Sequence, residues 1–344
     1  HHRLTRQLHS PAPTSATVTD DTLPDVLAAA ADSDGDPGAL ADRLQDVDTE
    51  TAKACADELR AVADDDPTAL ATLRPAVEAL LAAEDRSVRL TATKAIAEFA
   101  AADPDAAVPF VPALTERLDD DFYFVRGRAA EALGHIAQED PDAIETATVV
   151  ARLLNALSLD RDETRQHVAG ALANIALGDP RALRTVTDDL VDALGDDDPL
   201  VRYHLSTALV AVATAHPSYC NSVTDAVAAR LDDDCEYVRG RAAETLGLVA
   251  AADAGAVSEN ADALDACTDD EAFVAERARF ALAGAEDGTD PPDGVGDVAG
   301  IADETVDIVD DITAPDGEGC PHCGESVGGA APFCPACGAP LSPS

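Results

Sequence analysis

Apolar residues recur along this chain at helical spacing. In the stretch Val125 to Ala137, VRGRAAEALGHIA, the residues Val125, Ala129, Ala132, Leu133 and Ile136 fall on one stripe, and the stretch returns as Val238 to Ala250, VRGRAAETLGLVA. Val201, Leu205, Ala208, Leu209 and Val212 repeat the stripe in a looser copy. The Arg after the first stripe residue, or the residue in its place, forms the series Lys53, Arg89, Arg126, Arg165, Arg202, Arg239 and Ala275, with steps of 36, 37, 39, 37, 37 and 36. That period predicts stacked helical pairs, each contacting only its neighbours. Small Ala within the stripe lets helices approach closely, and the larger residues fill the seam between layers.

A second marker has the same register. Pro67, Pro104, Pro141, Pro180 and Pro217 follow the second helices at steps of 37, 37, 39 and 37, where a helix has just ended. Both series lengthen by two between Pro141 and Arg165, so the turn Ser158 to Glu163 is expected to hold the extra residues. First helices are expected over stretches such as Pro109 to Leu118 and Val186 to Leu194. Upstream, Leu23, Val26 and Leu27 predict a capping helix within Asp20 to Ala31. The chain thus divides into a flexible tail over 1–19, a solenoid over 20–285, an acidic linker over 286–318 and a final module over 319–344.

Composition changes the picture in one respect, charge. Lys plus Arg is 23 against 67 Asp plus Glu, a net charge of -44, and Lys53 and Lys94 are the only lysines. With 46% hydrophobic residues and no Trp, this resembles the proteome-wide bias of salt-in haloarchaea, so the charge describes the cell rather than a partner. An acidic surface evolved for a basic partner is the rival reading, but the acid is spread along the whole chain. No apolar run reaches the roughly 18 residues of a membrane span, and His1 to Ala16 has no apolar core of a secretory signal. Cys55, Cys220, Cys235 and Cys267 are scattered while the other four cysteines form CxxC pairs, which favours a reducing interior over a disulfide framework. The expected location is cytoplasmic.

Five residues before each member of the Arg series stands an acid: Asp48, Glu84, Asp121, Asp160, Asp197, Asp234 and Asp270. An acid in the interhelical turn, VR opening the second helix and AAxALGxI along it resemble HEAT repeats, most of all the subtype named after phycobiliprotein lyases. The resemblance covers Ala39 to Ala285 and implies an all-α fold: a HEAT-like α-solenoid of about seven helical hairpins. It also implies an acid-to-Arg ladder between adjacent repeats, built from Asp121, Arg126, Asp160, Arg165, Asp197, Arg202, Asp234 and Arg239, with Arg126 meeting Asp121 or Asp160. The ladder is expected to weaken at both ends, where Lys53 and Ala275 replace Arg. At molar salt the Debye length is about 3 Å, so retained pairs must be sheltered to contribute. Asp198, followed by Pro199, is also expected to cap its helix.

HEAT second helices usually line the concave side, and there the middle repeats place a neutral to basic strip: Arg128, His135, Gln166, His167, Asn174, Tyr203, His204 and Arg241. It reads as a docking groove for an acidic peptide or tail, with Arg supplying bidentate contacts and Tyr203 an aromatic platform. Glu131 and Glu244 dilute its field. His167 and His204 lie one repeat apart, yet the His-Glu dipeptides by which HEAT enzymes resembling deoxyhypusine hydroxylase hold iron are absent. No nucleophile or cofactor motif accompanies the likeness to the lyases, and no small-molecule substrate is evident. The aromatic ridge of Phe122, Tyr123, Phe124, Tyr237 and Phe273 reads as packing between turns.

Beyond Ala285 the text changes to EDGTDPPDGVGD, which cannot bury enough apolar area to order itself. Val298, Ile301, Thr305, Ile308 and Ile312 then follow at spacings of 3, 4, 3 and 4, so a short amphipathic helix could dock on the solenoid end or on a partner; a strand or disorder are the alternatives. The last module, CPHCGESVGGAAPFCPACG, sets Cys320 and Cys323 ten residues from Cys334 and Cys337 and resembles a zinc ribbon. Four thiolates fill a tetrahedral sphere, so one structural Zn2+ is expected and His322 is redundant as a ligand. The ribbon has no Lys or Arg, which favours contact with another protein over nucleic acid. The reading is a non-catalytic interaction scaffold, with a nucleic-acid-associated protein and a lyase-like enzyme as alternatives.

Overall fold

The computed structural model of the chain describes Leu27 and residues 37–66, 69–250, 252–253, 255–284 and 294–313. Seven helical pairs follow one another. The first three are α1 (Pro37–Leu44) with α2 (Thr49–Asp65), α3 (Arg74–Leu81) with α4 (Arg86–Ala102), and α5 (Val111–Arg117) with α6 (Tyr123–Glu139). Next come α7 (Thr146–Ala156) with α8 (Asp162–Gly178), α9 (Thr187–Asp192) with α10 (Pro199–Ala215), α11 (Thr224–Ala228) with α12 (Glu236–Val249), and α13 (Ala261–Cys267) with α14 (Ala272–Gly284). Single turns and 3-10 segments fill several of the connections, and no strand occurs among the described residues. Each second helix packs on the next, α2 on α4 and so on to α14, which makes the assembly a solenoid. Among the described residues no helix is long and apolar enough to cross a membrane.

The stripe explains the stacking. Val125, Ala129, Ala132, Leu133 and Ile136 are all fully buried, as are Val201, Leu205, Ala208 and Val212, and all but Val125 join one continuous core. A fully buried Val, Leu or Ile contributes about 1.5–3 kcal/mol through removal from water, and the repeats supply dozens. Ala and Gly set the spacing between layers. A Cβ on Gly134 would lie 2.7 Å from the Ala171 Cα, so the α6–α8 approach requires glycine there.

Helix starts follow from local chemistry. Asp85 caps α4 by accepting from Ser87 N (2.8 Å), and Asp198 caps α10 by accepting from Leu200 N (2.9 Å) and Val201 N (3.2 Å). Pro199 occupies the first turn of α10, where its missing N–H costs nothing. Pro104, Pro141, Pro180 and Pro217 each open a short helical segment just past a second helix, while Pro67 lies outside the described residues. Of the expected capping helix, Leu27 alone is described, and it is buried in the core.

The segment expected as helix, strand or disorder is a helix, α15 (Val298–Thr313). It lies against the second helices α8 and α10. Gly294 and Gly296 adopt positive φ of 81° and 70° ahead of it, and the left-handed Gly296 lets its N–H reach Glu244 Oε1 at 2.8 Å. Residues 1–19 and the ribbon over 319–344, with Cys320, Cys323, Cys334 and Cys337, lie outside the described residues.

Candidate functional site

The Arg series builds the turn side of the solenoid. Each guanidinium reaches its own turn: Arg89 Nη1 donates to the carbonyls of Ala83 (3.0 Å) and Glu84 (2.8 Å), and Arg202 Nη1 to those of Asp196 (2.8 Å) and Asp197 (3.1 Å). All but Arg126 also reach the next pair, gripping with Nε and Nη2 a carboxylate 31 residues on. The rungs are Arg89 to Asp120 (both 2.8 Å), Arg165 to Asp196 (2.7 and 3.0 Å), Arg202 to Asp233 (2.9 and 2.8 Å) and Arg239 to Asp270 (both 2.7 Å).

In three rungs the acid stands six residues before the next Arg, not five. The reason is local. Asp120, Asp196 and Asp233 accept the N–H two residues on, from Phe122 (3.0 Å), Asp198 (2.9 Å) and Cys235 (3.0 Å), and this turn aims the carboxylate back at the preceding pair. Asp121 and Asp234 are exposed and add second contacts to Arg89 and Arg202, Asp197 lends its carbonyl, and Asp160 is exposed. Arg126 meets neither Asp121 nor Asp160: its Nε donates to the Asp120 carbonyl of its own turn. Leu159 occupies the position six before Arg165, so no carboxylate is there to receive Arg126.

At the first joint Lys53 reaches Asp85 only at 3.6 Å and in partial exposure. The last rung, Arg239 to Asp270, is complete, so the ladder does not weaken at that end until Ala275. Burial opposes ionisation of Asp120 and Asp233, but hydrogen bonds and attraction from Arg89 and Arg202 outweigh it and hold both carboxyls below their usual range.

The strip expected on the concave side divides. Gln166 turns to the ladder, donating to Asp198 Oδ2 at 2.7 Å. Arg128 pairs with Glu131 on its own helix (2.9 Å), so its charge is already balanced. His167 and His204 carry no charge at neutral pH, because burial lowers both to about 4. Burial lowers His135 as well; it and Asn174 are half-buried on α6 and α8. The expected neutral-to-basic field thus reduces to fewer cations than the sequence suggests. Among the described residues no group of three or more His, Cys, Asp or Glu side chains is arranged to hold a metal ion.

Tyr203 and Arg241 are not an open platform either. Both are fully buried, beneath α15. Arg241 Nη1 meets Glu244 Oε2 (2.9 Å) and Glu304 Oε1 of α15 (2.6 Å), and its Nη2 donates to the Tyr203 hydroxyl (3.3 Å). Arg277, a residue the sequence reading missed, meets the same two acids: Glu244 Oε2 at 3.0 Å and both Glu304 oxygens at 2.7 and 2.8 Å. Its guanidinium stacks on Phe273 at 3.5 Å. Arg277 stands two after Ala275, as Arg128 and Arg241 stand two after theirs, so the repeat register alone would have found it.

Around this charge cluster α15 is seated by apolar contacts. Ile308 packs with Leu200, Tyr203 and Val238, bordered by Tyr237 and Phe273, while Ile301 enters the main core. The Tyr203 hydroxyl donates to Thr305 Oγ1 (3.3 Å) and that of Tyr237 to Asp311 (2.8 Å). Tyr237 and Phe273 of the aromatic ridge thus line the α15 seat. Two of its other three members are covered by arginines: Arg86 lies over Phe122 at 4.8 Å and Arg161 over Tyr123 at 5.0 Å.

The scattered cysteines show no nucleophile. Burial pushes the Cys55 thiol up to about 11 and that of Cys220 up to about 12, and it raises Cys235 and Cys267 too.

Comparison with known proteins agrees with the architecture. A profile described as HEAT repeats matches residues 74–148, 111–188 and 150–247, and one described as a zinc-ribbon domain matches residues 320–341. An engineered protein of known structure shares 27% identity at a TM-score of 0.55, covering 62% of this chain and 98% of its own. The archaeal HEAT-like repeats protein from Thermococcus onnurineus NA1 superposes at a TM-score of 0.53 with 15% identity, over 72% of this chain and 98% of its own. A designed armadillo repeat protein in complex with the peptide (KR)4 does so at 0.54 with 19% identity, over 61% and 98%. No curated protein matches the chain. With stacked helical pairs and matches that together run from 74 to 247, half of the 344 residues, the chain belongs to the HEAT-repeat proteins.

Proposed function

We propose that this chain is a non-catalytic scaffold for protein recognition, in which the second-helix face of the solenoid takes a helical segment of a partner. The observation that carries the reading is the arginine site of α12 and α14. Arg241 and Arg277 together face Glu244 and are brought to balance by a carboxylate, Glu304, delivered on a separate helix. A site built this way recognises a carboxylate by bidentate guanidinium contacts, the chemistry of specific docking. The designed armadillo protein of the same fold is recorded with a basic peptide; here the polarity is reversed, and the ligand is acidic.

The ribbon is the second contact. Cys320, Cys323, Cys334 and Cys337 form a donor set of four thiolates that suits one closed, tetrahedral Zn2+, and binding worth about 10–16 kcal/mol would fold so short a segment. With no Lys or Arg it is directed at protein and not at nucleic acid. Affinity capture on the full chain in molar KCl tests the scaffold: a protein recovered in stoichiometric amount, and lost on Arg277→Glu, is expected. Recovery of nucleic acid alone would overturn it.

A further inference from the structure

The occupant of the second-helix face can be specified further, on the reading above that this face recognises a partner helix. Two features of α15 stand out. Its docked face is specific: Ile301 and Ile308 are buried, Glu304 is shared between Arg241 and Arg277, and Thr305 meets Tyr203. Its other properties make a weak helix. Val298–Thr313 contains five acids and no base, with Asp310 and Asp311 near the C-terminus, where the helix dipole disfavours negative charge. Gly300 lies in its first turns, and Val306 stands exposed on the outer face among Asp303, Asp307 and Asp310.

The seat, by contrast, belongs to the rigid solenoid and has a charge of its own. Arg241, Glu244 and Arg277 are at most 3% exposed, and without Glu304 two guanidiniums are left with one carboxylate. While the seat is covered its cations need compensation, so a helix that takes the place of α15 must bring a carboxylate of its own.

We infer that α15 is an intramolecular stand-in, and that the seat on α8, α10, α12 and α14 takes an acidic amphipathic helix of a partner protein. The partner helix carries an aliphatic residue, Glu three positions on, a small hydroxyl residue next to it, and a second aliphatic seven positions after the first, the spacing of Ile301, Glu304, Thr305 and Ile308. Its Glu replaces Glu304 between Arg241 and Arg277. Because α15 is tethered through residues 285–293, it is present at high local concentration and lowers the apparent affinity for the incoming helix by the fraction of time it occupies the seat. Displacing it also frees the segment that leads to the ribbon.

The test uses the full chain and a labelled peptide of residues 297–313, the acidic helix itself, as the incoming ligand. In the Glu304→Arg chain the tethered helix faces two arginines with a third, so cleavage within 298–313 by a non-specific protease should rise and the seat should open. The peptide is then expected to bind Glu304→Arg at least about tenfold more tightly than the unaltered chain. Adding Arg277→Leu should erase the gain, and a scrambled peptide of equal charge should not bind. If Glu304→Arg fails to release the helix, Ile308→Asp, which puts a charge into the apolar seat, takes its place. Protection of 298–313 in both variants would make α15 a permanent part of the solenoid and overturn the inference. So would release without a gain in peptide binding, or equal binding of the scrambled peptide. Stoichiometric capture of a protein partner alongside such a failure would leave the scaffold reading standing and remove only this occupant.

Discussion

Removal of one carboxylate tests which acid ties the repeats together. Asp233 accepts Nε and Nη2 of Arg202 (2.9 and 2.8 Å), Nη1 of Arg230 (3.3 Å) and the backbone N of Cys235 (3.0 Å). Arg202 and Asp233 are both buried, and breaking a buried pair by deleting one partner costs about 3–5 kcal/mol. In Asp233→Ala, Arg202 keeps the carbonyls of Asp196 and Asp197 and its contact with Asp234, which moves the expectation to the lower end, about 3 kcal/mol. Asp234, 88% exposed at its side chain, should cost little when changed to Ala, although it stands at the position that the sequence pattern marks as the ladder acid. Urea unfolding followed by circular dichroism would compare the two variants, with Arg202→Leu and the double variant closing a coupling cycle. The difference should persist in molar KCl, where the Debye length is about 3 Å and exposed pairs are screened. Equal losses for Asp233→Ala and Asp234→Ala, or a loss that vanishes in salt, would refute the assignment.

Other outcomes follow from the same geometry. His167 and His204 are held at about 4 by burial, below the ordinary value of 6.5, so the unfolded chain takes up protons first and stability falls as pH drops from about 6.5 toward about 4. The full shift corresponds to about 3 kcal/mol for each imidazole, and His204→Asn should flatten that part of the pH profile of urea unfolding. Gly134→Leu places a side chain against the Ala171 backbone and should lower the thermal midpoint sharply, by separating α6 from α8. Metal analysis is expected to find one zinc per chain, lost in Cys320→Ser with the solenoid's helicity unchanged; a chain that holds no zinc, or that unfolds with its loss, contradicts a structural ribbon on an independent solenoid.

Much of the architecture was legible because it is written repeatedly. The stripe of Val125, Ala129, Ala132, Leu133 and Ile136 recurs at a period that predicts stacked helical pairs, and the prolines repeat its register. The ladder was legible only in outline. Asp119 to Asp121, Asp196 to Asp198 and Asp232 to Asp234 are runs of three aspartates, and which member turns back depends on a hydrogen bond to a backbone N–H that side-chain identity does not reveal. The candidate site was less legible still. Tyr203 and Arg241 were read as open, because their cover arrives from α15, about a hundred residues downstream of Tyr203, after a break in the repeat. The histidines of the strip were hard to place for a related reason: their charge depends on burial, which neighbouring repeats supply.

The joint between the third and fourth pairs differs in kind from those around it. Arg126 turns to its own loop, Leu159 stands where other turns carry aspartate, and the helices meet through the bare backbone at Gly134. Joints on either side carry an Arg-to-Asp rung, whereas this one is bridged outside the ladder, by Arg152 to Asp119 at 3.3 Å and Arg128 to Glu163 at 3.9 Å. At neutral pH, variants that delete the rung aspartates should therefore loosen the joints on either side and leave amide hydrogen exchange at α6 and α8 unchanged.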